Sequence, residues 1–180
     1  LVSIGPDNPI IDLGDSLFIT GKVDQSDNPI ASMQWTSDQP VSCSTCDGTW
    51  VYNSLPALYT WTVTDINGCT GSASVTVNVD FNRDVFIPNI FSPNNDGRNE
   101  DFRIYTGLGV VSINYLRIYD RWGNLVHSEE NLLPSPTGAG NWNGTYDGKK
   151  LNPGVYVFVA EISFIDNAKL VYRGDITLVR

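Results

Sequence analysis

The chain has 180 residues, of which 41% are hydrophobic and only 17% charged, and its formal net charge is −9. This acidic balance excludes a nucleic-acid-binding surface, which needs clustered Lys and Arg, and no run of about 20 apolar residues predicts a transmembrane helix. Five Trp, eight Tyr and seven Phe supply apolar area for a core, which excludes a disordered chain. No signal peptide begins at Leu1, so we expect any N-terminal export signal to lie upstream of this segment.

The first half of the chain shows the two-residue apolar period of β-strands. We predict strands over residues 16–23, 31–36, 58–65 and 72–79, with a hairpin turn at Asp65-Ile-Asn-Gly68. In the third strand Tyr59, Trp61 and Val63 share one face, opposite three Thr side chains. Several short strands predict a small β-sandwich, in which we expect Trp35 to be the central aromatic residue. We also expect the phenol of Tyr59 to bond to nearby backbone, as at a tyrosine corner.

The three cysteines, Cys43, Cys46 and Cys69, all lie in the first half. A Cys-x-x-Cys pair with one further Cys and no nearby His is a poor match to a zinc site, which needs four ligands. The pair lies among turn residues and not at the start of a helix, so a redox motif is disfavoured too. In an exported protein we predict one disulfide, with Cys43–Cys46 the favoured pair and a link from one of them to Cys69 the alternative.

A change in charge divides the chain. Residues 1–80 contain nine Asp, no Glu and one Lys, whereas residues 81–180 contain eleven acids and ten Lys plus Arg. We place the boundary within Val79-Asp80-Phe81-Asn82-Arg83. The chain is therefore predicted to be all-β, with two tandem Ig-like β-sandwich domains at residues 1–80 and 81–180.

Turn-forming residues separate alternating apolar segments in the second half. They are Asn95-Asp-Gly97, Trp122-Gly-Asn124, Asp147-Gly148 and Asn152-Pro-Gly154. Leu116 and Ile118 share one face of a predicted strand, and Tyr156, Phe158 and Ile162 share one face of a later and longer strand. We expect the last strand, over residues 169–180, to be buried in the sheet.

The first half resembles the PKD-like and Ig-like repeats of bacterial surface proteins. The matching segments are Trp35-Thr-Ser, Ser42-Cys-Ser-Thr-Cys46 and Tyr59-Thr-Trp-Thr-Val-Thr-Asp-Ile-Asn-Gly-Cys69. Such repeats serve mainly as spacers or adhesive units, so this resemblance implies a fold more than a function.

Five motifs follow one another in the second half. They are Val85-Phe-Ile-Pro-Asn-Ile-Phe-Ser-Pro-Asn-Asn-Asp-Gly-Arg-Asn99, Leu116-Arg-Ile-Tyr-Asp-Arg-Trp-Gly-Asn-Leu-Val126, Asn141-Trp-Asn-Gly-Thr-Tyr-Asp-Gly-Lys149, Leu151-Asn-Pro-Gly-Val-Tyr-Val-Phe158 and Tyr172-Arg-Gly-Asp-Ile-Thr-Leu-Val-Arg180. In this order and spacing they resemble the gliding-motility-associated C-terminal domain, the type B sorting domain of the Bacteroidetes type IX secretion system. The resemblance implies a sorting signal at the end of a large cell-surface protein that is exported across the outer membrane. The implied partners are the type IX translocon and an outer-membrane protein of the PorP/SprF type.

The resemblance assigns the sorting motif to turn residues and to the strand residues beside them. These are Phe91, Pro93, Asn94, Asp96, Gly97, Asn99, Asp120, Arg121, Trp122, Gly123, Asn124, Trp142, Gly144, Gly154, Tyr156 and Gly174. Two positions depart from the family pattern. Asn143 stands where the family has Asp, and Asn99-Glu100 stands where the family has Asn-Asp.

The segment from Asn94 to Asp101 is the one candidate chemical site. Oxygen side chains at alternating positions around a Gly resemble the start of a calcium loop. The candidate ligands are Asn94, Asp96, Asn99 and Asp101, with Glu100 as the alternative to Asp101. A bidentate Glu is missing at the twelfth position, so we favour a turn whose side chains cap their own backbone. Calcium is the only cofactor that the sequence suggests.

The sequence lacks the residue combinations that enzymatic catalysis needs. The single His, His127, falls in a strand predicted over residues 125–128, and no Ser or Cys motif accompanies it. Glu129-Glu130 is predicted to be a solvated pair on a loop. We therefore expect a monomeric fragment with no catalytic role.

The alternative function is that of an adhesive or carbohydrate-binding surface module. Trp50, Trp122 or Trp142 would then be an exposed platform on which a sugar ring stacks. A Trp beside Gly in a turn more often closes the end of a sandwich, which argues against this alternative.

Overall fold

The computed structural model describes all of residues 1–180, which divide into two compact units, Leu1–Asn82 and Arg83–Arg180. We call them unit 1 and unit 2. Every regular element in both units is a β-strand, so the predicted all-β class is confirmed. The chain contains no helix with the length and apolar character needed to cross a bilayer.

Unit 1 is an Ig-like sandwich of two sheets. Its strands are β1 (Val2–Gly5), β2 (Ile10–Asp12), β3 (Ser16–Val23), β4 (Ile30–Thr36), β5 (Gly48–Tyr52), β6 (Ala57–Asp65) and β7 (Thr70–Asp80). The strand order is β1-β3-β5 in one sheet and β2-β7-β6-β4 in the other. The four predicted strands are confirmed as β3, β4, β6 and β7. The remaining strands have five residues or fewer, too short for a periodic signal in the sequence.

The core of unit 1 is built on one face of β6. Tyr59, Trp61 and Val63 are at most 3% exposed, as their alternation predicts. Trp35 on β4 is equally buried, and its ring centroid lies 5.9 Å from that of Trp61. Both indole N–H groups donate to the carbonyl O of Cys46, at 2.9 Å from Trp35 and 3.3 Å from Trp61. The aromatic core therefore holds the loop between β4 and β5 in place.

That loop contains a disulfide between Cys43 and Cys46, while Cys69 is an exposed free thiol. The predicted acceptor of Tyr59 is wrong. Its phenol donates to Oδ1 of Asn53 at 2.5 Å, which is a side-chain atom and not the backbone. Burial raises the pKa of Tyr59, which keeps the phenol protonated as the donor of this bond.

Unit 2 is a second sandwich. Its strands are β8 (Val85–Phe86), β9 (Ile90–Phe91), β10 (Phe102–Thr106), β11 (Val110–Tyr119), β12 (Leu125–Leu132), β13 (Ala139–Trp142), β14 (Thr145–Tyr146), β15 (Lys149–Lys150), β16 (Gly154–Phe164) and β17 (Lys169–Leu178). The large sheet has the order β12-β11-β16-β17-β9, the small sheet has the order β13-β10-β8, and β14 and β15 form a hairpin. The two sheets meet at Phe102 on β10 and Phe158 on β16, whose ring centroids are 5.7 Å apart.

Alternation along β16 and β11 produces the core of unit 2. Tyr156, Phe158 and Ile162 are buried, as predicted for one face of the longest strand. Leu116 and Ile118 are buried on β11, also as predicted. The rest of β11 departs from strict alternation, because its register with β16 shifts between Val110 and Ser112 and again between Ile113 and Tyr115. These bulges bring Ile113 to the buried face as well.

The prediction for the last strand is partly wrong. Strand β17 pairs with β16 from Lys169 to Leu178, but only Ile176 and Leu178 are buried. On its other side β17 pairs only with β9, in parallel, through Thr177 and Leu178. Most of β17 is therefore an edge strand and not an interior one.

Candidate functional site

The exposed sorting-motif residues of unit 2 gather at one end of the sandwich. Strand β11 ends and β16 begins at this end, since Tyr119 lies opposite Val157 in an antiparallel pair. We call this end the turn end. It consists of loop 92–101, turn 120–124, segment 143–154 with its small hairpin, and Arg180.

A shared cleft, two hydrogen bonds and a close approach place these segments side by side. A cleft at the turn end is lined by Pro93, Asn95, Gly97, Glu100, Asp101, Asn143, Thr145, Lys150 and Arg180. The guanidinium of Arg180 donates to the carbonyl O of Gly144 at 3.0 Å and to that of Leu151. A Cβ atom built on Gly154 would lie 3.3 Å from Nη2 of Arg121, so turn 120–124 adjoins the start of β16. Motifs that are far apart in the sequence therefore meet at one surface.

Turn 120–124 is built around the carboxylate of Asp120. Its Oδ1 accepts the backbone N–H groups of Trp122 and Asn124, both at 2.9 Å, and its Oδ2 accepts the side-chain amide of Asn124 at 2.9 Å. Gly123 has a φ of 84°, a left-handed conformation that favours glycine. Hydrogen bonds from the Asn124 side chain, and then from the turn amides, lower the pKa of Asp120. The turn is therefore held rigid by a charged acceptor.

This turn displays the most exposed aromatic side chain at the turn end. Trp122 is 76% exposed, and the Arg121 guanidinium lies 5.2 Å from the centroid of its ring. The expectation that a Trp beside Gly closes the end of the sandwich is wrong for Trp122. The short turn projects the indole away from the core, so this aromatic surface is open to a partner.

Loop 92–101 is capped by its own side chains. Glu100 accepts the backbone N–H groups of Asn95 at 2.9 Å and Gly97 at 3.0 Å. Asp96 accepts the N–H of Arg98 at 2.8 Å and the side-chain amide of Asn94 at 3.1 Å. These bonds support the self-capped turn.

Asp101, one of the proposed calcium ligands, already has a cationic partner. Asp101 forms an ion pair of 2.9 Å with Arg103, and Asn99 adopts a left-handed backbone conformation with a φ of 51°. No group of three or more His, Cys, Asp or Glu side chains could hold a metal ion. Calcium binding by Asn94, Asp96, Asn99 and Asp101 stays a prediction.

Three aromatic motif residues belong to the core and not to the surface. Phe91, Trp142 and Tyr156 are at most 7% exposed. The ring of Trp142 lies 5.1 Å from that of Phe91 and 5.2 Å from that of Tyr156, centroid to centroid. The interpretation of Trp142 as an exposed platform is therefore wrong. These residues form the part of the core that adjoins the turn end.

The backbone-bonded tyrosine expected in unit 1 occurs in unit 2. The phenol of Tyr156 donates to the carbonyl O of Asn152 at 2.8 Å, four residues upstream. Burial raises the pKa of Tyr156, so the phenol stays protonated. The bond attaches segment 143–154 to the beginning of the long strand β16, which is the role of a tyrosine corner.

Two motif glycines meet the core directly. A Cβ atom on Gly144, which has a φ of 74°, would lie 2.9 Å from Cδ1 of Leu178. A Cβ atom on Gly174 would lie 2.9 Å from Cε1 of the buried Phe158. Both positions are therefore restricted to glycine by packing. The sequence motifs contain both glycines and Arg180, but they did not predict the contacts of Arg180, whose backbone partners are 29 and 36 residues upstream and leave no local pattern.

The acid and imidazole groups of β12 are structural. Glu129 and Glu130 lie within β12, so their predicted loop position is wrong. His127 bonds to Glu129 through Nε2 at 2.7 Å, and Glu129 also accepts the backbone N–H of Asn141 at 3.3 Å. Glu130 points to Arg117 on the other face, at 3.8 Å. The two carboxylates therefore do not face a common cleft.

Residues 85–178, just over half of the chain, match the family model of the CHU_C type IX secretion signal domain. The chain belongs to the type IX secretion signal domain family. The family and the secretion function predicted from the sequence motifs are thereby confirmed. As a type IX secretion signal, unit 2 marks a protein for export out of the cell, and secretion signal and Ig-like domains are non-catalytic kinds of domain.

Several solved structures are similar to the secretion signal chain. A PKD domain from the KIAA 1837 protein is 24% identical, with a TM-score of 0.38, over 44% of this chain and 84% of its own. Fibronectin(III)-like modules of Clostridium thermocellum CbhA are 14% identical, with a TM-score of 0.37, over 99% of this chain and 93% of theirs. Dimeric latent PorU from Porphyromonas gingivalis is also 14% identical, with a TM-score of 0.37, over 99% of this chain and 20% of its own. No curated protein matches the sequence.

The polypeptide enters the secretion signal domain at the end opposite the turn end. Arg83, its first residue, forms an ion pair with Asp166, which follows the far end of β16. The carbonyl O of Asp84 accepts the N–H of Gly107 at 2.8 Å, just before β11 begins. The turn end and the point of chain entry are therefore separated by the length of the long strands.

Proposed function

We propose that unit 2 directs transport across the outer membrane by presenting its turn end to the type IX translocon. One observation supports this proposal above the others. The exposed parts of the five motifs lie at the same end of the sandwich, and their buried aromatic residues pack in the core next to them. A signal that is recognised in the folded state needs a preorganised surface of this kind, because ordering a loose loop on binding would cost conformational entropy.

We further propose that the direct partner is an outer-membrane protein of the PorP/SprF type. Trp122 supplies an exposed aromatic anchor, and Arg121 beside it supplies a fixed positive charge. Trp and Arg are the residues most often found at the energetic centres of protein interfaces. The partner should therefore offer an apolar pocket with an acidic rim.

Unit 1 has the role of an Ig-like or PKD-like spacer in this proposal, and the exported protein is displayed at the cell surface. The chain itself has no catalytic role. Two observations support a non-catalytic role: the kind of domain involved, and the hydrogen bond of the single His, His127, to Glu129 in the same strand.

A secretion assay tests the proposal. Residues 81–180 are fused to a reporter and expressed in a type IX-competent cell and in a strain without a functional translocon. We expect the reporter in the medium or at the surface of the first strain only. Retention of the folded fusion in the competent strain would contradict the proposal.

Matched alanine variants of the same fusion test the turn end. Trp122→Ala removes an exposed side chain at the turn end, and Leu133→Ala removes one of nearly equal exposure beyond β12, at the far end. We expect Trp122→Ala to reduce secretion at an unchanged melting temperature and Leu133→Ala to leave secretion unchanged. Equal secretion of both variants would contradict the proposal that the turn end is the recognised surface.

A second candidate function belongs to unit 1. Phe18 on β3 and Trp50 and Tyr52 on β5 are 44%, 46% and 54% exposed. Phe18 lies opposite Trp50 in the register, and their ring centroids are 5.3 Å apart. A row of exposed aromatic rings on a sheet face suits stacking against the apolar faces of sugars.

Glycan-array binding by the full chain tests this second function. We expect Trp50→Ala to abolish binding of the polysaccharide and Trp122→Ala to retain it, because of these two residues only Trp50 belongs to the exposed aromatic row of unit 1. Absence of binding to every glycan would remove this candidate and leave the secretion proposal untouched.

A further inference from the structure

One edge of β17 is free over most of its length. Strand β9 covers only Thr177 and Leu178, so the segment from Lys169 to Ile176 has a strand neighbour on one side only. The pairing of β17 with β16 runs without a register shift, so no bulge turns this edge away. Exposed backbone of this kind is a template for pairing with another strand.

The opposite edge of the same sheet carries the usual protection. Strand β12 has a bulge in its pairing with β11, between Ile118 and Tyr119. Its Glu129 side chain turns toward β13 and accepts the N–H of Asn141. Bulges and inward charges are devices that prevent edge pairing. The edge of β17 has neither a bulge nor a proline, so the two edges differ in their readiness to pair.

The charged side chains of the free segment form no ion pairs within the chain. Lys169, Arg173 and Asp175 take part in none of the ion pairs of the structure. Val171 is 56% exposed and Leu170 is 41% exposed. The edge therefore combines unsatisfied backbone groups, unpaired charges and exposed apolar side chains.

We propose that two copies of this chain pair through β17, antiparallel and with Tyr172 on the two-fold axis. In that register Lys169 of each copy lies opposite Asp175 of the other, which gives two symmetry-related ion pairs. Leu170 lies opposite Gly174, so a large side chain meets a position without one. Antiparallel strand pairs favour opposite charges directly across from each other. The segment is therefore complementary to itself in charge and in size.

The product is a continuous sheet across the dimer with an isologous interface, in which each residue meets the same surface of the second copy. This interface was not expected from the sequence, which predicted a monomer, because an edge becomes visible only when the strand order is known. The proposal is independent of the export role of the turn end, which lies at the ends of the strands and not along β17.

Sedimentation equilibrium of the full chain over a wide concentration range is the first test. We expect reversible monomer–dimer association. We expect Lys169→Asp or Asp175→Lys to weaken it about tenfold, because each places like charges opposite each other twice. The double variant Lys169→Asp with Asp175→Lys should restore the parent affinity. Lys149→Asp, which reverses an exposed charge on the small hairpin, should have no effect.

Cysteine crosslinking in a Cys69→Ser background tests the register. Tyr172→Cys should oxidise to a covalent dimer, because directly opposed Cα atoms in antiparallel strands are about 4.5–5.5 Å apart, within disulfide range. Val171→Cys should not crosslink, since the two copies of residue 171 would be offset along the strands. A chain that stays monomeric at every concentration, or a dimer that ignores the charge reversals and crosslinks through residue 171, would overturn the proposal.

Discussion

The carboxylates of Asp65 and Asp120 organise two turns in the same way, one in each unit. Each accepts the N–H groups two and four residues ahead, and each turn has a glycine with a φ of 84° at the fourth position. Both turns could be predicted because an Asp and a Gly at this spacing leave a local signature. The side-chain bond from Asn124 could not, since the sequence does not specify which atoms of an exposed amide find a partner.

The pKa of Asp120 offers a direct test of this turn. Its pKa lies below the ordinary value of 3.8, so the turn is stabilised in full above pH 3.8 and loses that stabilisation as the pH falls below it. In Asn124→Ala we expect the pKa to rise toward 3.8, because the largest contribution comes from the Asn124 side chain. Carboxyl NMR titration measures the change.

The Asp65 carboxyl serves as the internal reference in that titration. Its pKa is lowered chiefly by the backbone N–H of Cys69, which the Asn124→Ala variant does not touch. An Asp120 pKa that stays low in Asn124→Ala, or an Asp65 pKa that moves with it, would show that the turn is stabilised by something else.

Gly174 is restricted by the ring of Phe158. In Gly174→Ala the new Cβ would lie 2.9 Å from Cε1 of that ring, so we expect a loss of about 1–3 kcal/mol in the free energy of unfolding. Urea denaturation measures it. In a Phe158→Leu background, where the ring is gone, the same substitution should cost distinctly less. Equal costs in both backgrounds would contradict the steric explanation.

At the scale of elements, strands of seven or more residues in the first half could be predicted from alternation, and short ones could not. Strands β8, β9, β14 and β15 have two residues each, which no periodic pattern can identify. The bulges of β11 bring Ile113 inward by a backbone irregularity that composition does not reveal. Tyr59 and Tyr156 have similar strand surroundings in the sequence. Their acceptors differ because the phenol of Tyr59 meets a buried Asn53 side chain.

The disulfide loop of unit 1 is a second element with a measurable contribution. Replacing both Cys43 and Cys46 by Ser should lower the free energy of unfolding by about 2 kcal/mol, the entropic value for so short a closed loop. The substitution also removes the disulfide restraint on the backbone at position 46, whose carbonyl O is the shared acceptor of Trp35 and Trp61, so the Trp emission of the native state should change.

Cys69→Ser is the matched control for the disulfide variant, because Cys69 is exposed and unpaired. Its stability should equal that of the parent chain. Urea unfolding followed by Trp fluorescence distinguishes the two variants. A double variant as stable as the parent would show that the aromatic core alone holds the loop.

Thermal melting with and without calcium tests whether loop 92–101 is a self-capped turn or a calcium site. Because Asp96 and Glu100 already accept loop N–H groups, we expect the melting temperature to be unchanged by excess calcium and by a chelator. We expect Glu100→Gln to lower it by weakening two bonds of a charged acceptor. A melting temperature that rises with calcium and returns with chelator would instead show that the chain binds calcium.

At the scale of the whole molecule, the sequence predicted the secretion signal through its motifs but not the surface that they form. Arg180 bonds to the backbone of Gly144 and Leu151, and loop 92–101 lines a cleft together with Asn143, because the strands of unit 2 place these segments at the same end. Such contacts depend on strand order, and strand order is not encoded in any local pattern. The sequence therefore contained the motifs in order, but it did not predict that they lie together at one end of the sandwich.

Each unit has its own sheets and core, so unit 2 should fold without unit 1. We expect residues 83–180 alone to unfold cooperatively in urea and to show the near-UV circular dichroism of packed aromatic residues. Residues 102–180, which lack β9 and the buried Phe91, should not. A fragment 83–180 that binds a hydrophobic dye and melts without cooperativity would contradict this independence.

The attachment of the polypeptide at Arg83 has a consequence for what such a signal can transport. Any passenger joined upstream is connected to unit 2 at the end of the long strands opposite Trp122 and Arg180, so the proposed recognition surface is not the point of attachment. From the proposed function we therefore expect unit 2 to direct the export of passengers of unrelated size and shape when it is fused to their C-termini.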